Sequence, residues 1–130
     1  MTKQELKRYG EIDKELNGIV DQIESLTERL NSPRVQVLSD MPKGTVHSEM
    51  ADLIAELIDL KEQYIRQYKT LLAEQKRIEN AIESLDSPTQ KALMRYKYID
   101  GLTWEEVAVN IHYEWAQMHR LHAKALIKLS

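Results

Sequence analysis

Three features predict an all-α protein. Apolar residues recur at helical spacing along most of the chain, helix-capping signals punctuate its C-terminal third, and aromatic residues are few. The 130 residues are 30% charged and 6% aromatic, with no Phe, which favours helix packing over sheet packing. The length suits one domain or two small ones.

The first helix, about 43 Å long at ~1.5 Å per residue, carries its apolar seam from Tyr9 to Leu30. Tyr9, Ile12, Leu16, Ile19, Ile23, Leu26 and Leu30 alternate steps of three and four, a heptad seam with Glu, Lys and Asp on the outside. Gly10 and Gly18 each weaken this helix by roughly 1 kcal/mol relative to Ala, so it needs a partner. Pro33 stops it. A second, longer helix is predicted over 48–86. Met50, Leu53, Leu57, Leu60, Tyr64, Leu71, Ile78 and Leu85 share one seam, and Ile54, Ile58, Ile65, Tyr68, Leu72 and Ile82 lie beside it. At ~100° per residue this apolar face is roughly 160° wide, more than one partner helix covers. The second helix should therefore meet the first and something else, either the C-terminal segment or another subunit. An antiparallel hairpin is favoured, joined by a long stretch at 32–47, with residues 77–86 projecting beyond the first helix.

A second domain is predicted over 87–130, after an arm of 1–86. Ser87-Pro88-Thr89-Gln90 marks a fresh helix start, with Pro in the first turn and Gln at the capping-box site. Leu93, Met94, Tyr96 and Tyr98 give that helix its apolar contacts, and Asp100-Gly101 ends it near residue 99. Thr103 with Glu106 forms a capping box ahead of a helix over 104–111, whose inner face is Val107, Ala108 and Ile111. His112-Tyr113-Glu114 breaks the period at a place where a turn often wants Gly, and His is among the residue types enriched at positive φ. The last helix, 115–129, turns Met118, Leu121, Ala125 and Leu129 inward, with Ala108 placed at its closest approach to the preceding helix. These two helices and their turn read as a helix-turn-helix.

The stretch Thr103 to Ser130 resembles region four of the primary bacterial sigma factors. Thr103, Glu105, Glu106 and Val107 stand in that family's "TLEEVG" helix start, and Ala123, Lys124, Ala125, Leu126, Lys128 and Leu129 in its "IEAKALRKL" ending. The whole chain is similar to small phage and prophage transcriptional regulators of the late-gene activator (ArpU or RinA) type. The resemblance implies a sequence-specific transcriptional regulator that docks its last helix in the major groove. The base-reading positions of the sigma factors carry Trp115, Ala116 and Arg120 here, so only scaffold and docking transfer, not base preference.

Under that docking the outward residues early in the last helix face DNA: Trp115, Ala116, Gln117, His119 and Arg120, with Lys124 one turn on. Gln117 suits adenine and Arg120 guanine, while Lys124 suits phosphate or a base edge. Arg120 and Lys124 also fit an ordinary solvated face. Trp115 fits either an exposed contact or a core position, and Trp104 fits packing beside the first helix of this segment. His112, His119 and His122 could suggest metal. No Cys is present and no carboxylate has ligand spacing, so no metal or cofactor is expected and the histidines read as surface or DNA contacts. No nucleophile–base signature, phosphate-cradling glycine loop or HExxH is present, so no enzyme is expected.

Charge is divided unevenly. Residues 1–86 carry 12 Lys/Arg and 17 Asp/Glu, whereas 87–130 carry 6 and 4, a net +2 within a chain of net −3. An acidic arm can coexist with a DNA-binding head. A net +2 is small, which points to dimerisation or help from another protein such as RNA polymerase. The long seams serve a homodimer or an intramolecular hairpin equally well. A different class also fits: a packaging adaptor of small-terminase type, or a polymerase-binding protein without DNA contact. No signal peptide or apolar run near the ~20 residues of a membrane span is found, so a bacterial host cytoplasm is expected.

Overall fold

The computed structural model describes residues 1–39 and 45–130, and side chains outside 37–48. Among the described residues it is all-α, as the sequence predicts. Its elements are α1 (Lys3–Leu30), α2 (Pro33–Ser39), α3 (Thr45–Glu83), α4 (Pro88–Met94), a π-helical turn (Arg95–Ile99), α5 (Trp104–Ile111) and α6 (Trp115–Leu129). Pro33 does end the first helix, but it also starts α2. The predicted connection 32–47 therefore contains a helix, because a Pro in the first turn gives up no hydrogen bond. Residues 40–44 of that connection lie outside the described residues.

Contacts group the chain into two compact units, Met1–Lys14 with Leu72–Ser130, and Glu15–Leu71. The segment 87–130 lies wholly within the first unit.

In the first unit the start of α1 runs antiparallel to the end of α3. The Tyr9 hydroxyl donates to Glu79 at 2.5 Å, and Gln75 donates to the Tyr9 carbonyl at 3.5 Å and to the Asp13 carboxylate. Arg8 pairs with Glu74 at 3.4 Å and Arg77 with Glu5 at 3.5 Å. Exposed pairs of this kind add little stability but record the register. Burial, then the hydrogen bond to Glu79, pushes the Tyr9 pKa above its usual value. Beneath these polar contacts Leu6, Tyr9 and Ile12 are buried, as are Ile78, Ile82 and Leu85. The expectation that 77–86 would project freely is corrected. Glu5 of α1 stands beside Arg77, and Ile78, Ile82 and Leu85 are buried rather than free. Leu6 is fully buried, and Leu6→Ala is expected to destabilise the chain by roughly 2–5 kcal/mol, read as a lowered urea midpoint.

In the second unit α1 contributes Leu16, Ile19 and Leu26, all buried. A cleft of about 790 Å³ separates Glu15, Gly18 and Gln22 of α1 from Gln63, Gln67 and Thr70 of α3. Val35 of α2 lines a second cleft with Leu53, Leu57 and Leu60. None of residues 50–71 is buried, although this stretch is as apolar as the rest of the seam.

Candidate nucleic-acid interface

The local signals of the C-terminal segment fold as their chemistry dictates. The Ser87 side chain accepts from the Gln90 amide at 3.3 Å, with Pro88 opening α4. Beyond Met94 the helix widens into the π turn, closed by the Asp100 amide on the Arg95 carbonyl at 2.9 Å, and Gly101 follows at φ 70°. Thr103 and Glu106 complete the capping box: the Glu106 amide donates to the Thr103 hydroxyl at 3.2 Å, and the Thr103 amide to the Glu106 carboxylate at 3.1 Å. His112 takes the left-handed conformation, φ 60° and ψ 40°, and its amide caps α5. Glu114 then starts α6.

The core of this segment is Leu93, Met94, Tyr98, Val107, Met118 and Ala125, all buried. Ala108, Ile111, Leu121 and Leu129 are only half-buried, while Val107 and Met118 are fully buried.

A row of rings ties the start of α5 to α6. Trp104 lies 5.0 Å from His119 and 4.7 Å from His122, centroid to centroid. Trp115 meets His119 edge-on at 4.7 Å, and Tyr98 stacks on His122 at 5.8 Å. Lys97 caps the row, its Nζ 4.7 Å from the Trp104 ring centroid, and also donates to the Leu102 carbonyl at 3.2 Å. Trp104 thus packs on α6, not merely beside the first helix of the segment.

His122 corrects the sequence reading of a surface or DNA-contacting residue. It is buried, and its Nε2 lies 2.7 Å from the Tyr98 hydroxyl. Burial pushes the Tyr98 pKa up to about 12, so the phenol keeps its proton within a hydrogen bond to a neutral imidazole. Burial also pushes His122 down to about 4, with Lys3, His119 and Lys97 adding repulsion. The sign follows directly. Between pH 6.5 and about 4 the unfolded chain binds a proton that the folded chain refuses, so stability falls as pH falls through that window. The loss is on the order of 3 kcal/mol at the acid end. His122→Gln should flatten the pH dependence of the urea midpoint between these limits relative to the parent. A parallel profile in the variant would remove His122 as the source. The signal for burial was present in the sequence: His122 falls between Met118 and Ala125 at helical spacing.

The six predicted contact residues divide into two groups. Ala116, Gln117, Arg120 and Lys124 are exposed and share the side of α6 opposite Met118, His122 and Ala125. Trp115 is 52% exposed, which decides its two readings in favour of the surface, but its edge rests on His119. His119 is half-buried in the ring row, so it supports the face rather than standing out from it. The cations divide similarly. Lys91 and Arg95 pair with Glu83 at 3.8 and 2.7 Å, and Lys97 is held by Trp104. Arg120, Lys124 and Lys128 remain exposed on α6, with no ion pair among the described residues. Rigid backing plus an exposed polar and cationic face is an arrangement able to meet a polyanion.

Among the described residues no group of three or more His, Cys, Asp or Glu could hold a metal, and no helix is long and apolar enough to cross a membrane. Residues 29–130 match a family described as "Protein of unknown function (DUF1492)". No curated protein and no solved structure matches the chain.

Proposed function

The chain belongs to the DUF1492 family, and we propose that it is a DNA-binding transcriptional regulator, sigma-factor-like in its C-terminal head and of phage or prophage origin, acting in the host cytoplasm. In this reading it is a binding module rather than an enzyme. The observation that carries it is the outward face of α6, where Gln117, Arg120 and Lys124 stand together on a helix backed by the Trp104 ring row. The helix enters the major groove of double-stranded DNA by its first turns. Gln117 and Arg120 reach base edges, Trp115 contacts a thymine methyl or sugar, and Lys124 and Lys128 meet phosphate. Glu114 makes no side-chain cap, which leaves the first amides of α6 available to a phosphate oxygen. The small local charge makes one head a weak binder, so two heads on paired half-sites, through a homodimer, complete the reading.

A second surface supports contact with RNA polymerase. Val109 is 71% and Tyr113 40% exposed at the end of α5 and in the turn, apolar positions on a segment otherwise rich in polar residues.

Single substitutions separate the assigned roles. Arg120→Ala should weaken binding to the preferred sequence by about 1–3 kcal/mol and relax preference at one base pair. Lys124→Ala should weaken all sequences alike and lower the salt slope by ~1. Gel-shift titrations at several salt concentrations read both. Unchanged affinity and slope in both variants would remove this docking face.

A further inference from the structure

The outward face of α6 carries an apolar edge as well as its cations. Ala116, Arg120, Ala123 and Ile127 step by four, three and four, a single stripe down the helix. At ~100° per residue Ala116, Ala123 and Ile127 fall within about 40° of one another, with Arg120 beside Ile127. All four are exposed, and Ile127 is 72% so; an Ile this open gives nothing to the core of the head.

The charge beside the stripe says what meets it. Lys124, Gln117 and Lys128 lie on one flank, about 40–80° round the helix from Arg120. From Trp115 to Ser130 the chain holds Arg120, Lys124 and Lys128 and no Asp or Glu. A protein groove that grips a helix takes large apolar anchors at successive turns, whereas this stripe offers two methyls, a guanidinium and one Ile. The major groove of DNA offers the complement: thymine C5 methyls set among hydrogen-bond acceptors, with phosphates along the rim.

We propose that α6 lies lengthwise in the major groove and that Ala116, Ala123 and Ile127 read thymine methyls, so that the preferred ligand is duplex DNA with thymines spread over about five base pairs. From Ala116 to Ile127 the stripe is about 16 Å long at ~1.5 Å per residue, close to five base-pair steps of ~3.4 Å. Arg120, in its middle, takes a guanine between the thymines, and the cationic flank follows one phosphate strand. The inference rests on the DNA-docking reading and extends it, because contact through the first turns alone would leave Ile127 in solvent.

Deoxyuridine pairs like thymidine but lacks the C5 methyl, so it isolates the contact. The full-length protein selects its motif from a random duplex library, and each thymine of that motif is then replaced by uracil in turn for gel-shift titration. Loss of one buried methyl should weaken the parent about fourfold at each thymine that is read. Ile127→Ala should show no such loss at one thymine, at one end of the span, and should keep it at the others. Its helical circular dichroism should match the parent's, because Ile127 is exposed. A parent that binds DNA but enriches no motif, or a motif without thymine, would overturn the proposal and leave DNA docking standing. So would parent affinity unchanged by uracil at every thymine, or an Ile127→Ala variant that keeps every uracil effect. A parent that retains no DNA would remove the docking reading and this inference with it.

Discussion

Met118→Asp is expected to unfold the C-terminal head and abolish DNA binding in one step. Met118 is fully buried, as are Val107 of α5 and Ala125 of α6. Emptying such a site of its side chain costs roughly 2–5 kcal/mol. A buried carboxyl without partners adds about 1–3 kcal/mol more, and it escapes full ionic desolvation only by staying protonated. A total of about 5 kcal/mol equals most of the stability of an ordinary small domain. Thermal melts followed by circular dichroism should show a lost or strongly lowered transition, and DNA binding should vanish with it. A variant that melts and binds like the parent would mean that residues 103–129 do not pack as α5 on α6.

The second large effect is electrostatic and leaves the fold alone. Arg120→Glu with Lys124→Glu turns two exposed cations into anions and reverses the head from a net +2 to −2. Like-charge repulsion from phosphate then replaces attraction, and DNA affinity should fall by at least ~100-fold at moderate salt. Both side chains are exposed on α6, so stability should stay within about 0.5 kcal/mol of the parent. Retained affinity in a well-folded double variant would place any DNA contact elsewhere on the molecule.

The two variants act at opposite faces of one helix, and the sequence told those faces apart unevenly. Local signals carried over well. The Thr103–Glu106 box, the Ser87-Pro88 start, Gly101 and the left-handed His112 are fixed by neighbours within a few residues, so short stretches specify them. The heptad seam of α1 was legible for the same reason. Leu6 was not, because its step of three to Tyr9, followed by another three to Ile12, breaks the alternation. Long-range facts were hidden. Gln75 is buried because the Tyr9 carbonyl and Asp13, over sixty residues away, accept its protons, and no local pattern announces that partner. His122 reads as polar by type but sits at core spacing, and the Tyr98 hydroxyl makes its burial tolerable. Trp104 and His119 likewise find each other only through the turn that brings α5 onto α6. The width of the α3 apolar face was legible as an excess, and in the structure none of residues 50–71 is fully buried.

The most direct test is to sequence the DNA fragments that the purified full-length protein retains from a random library, beside the Arg120→Glu/Lys124→Glu variant. The account predicts that the parent enriches a short motif, doubled where two heads bind, and that the variant enriches none. Retention of no DNA by the parent even at low salt, or the same motif recovered by both proteins, would contradict it.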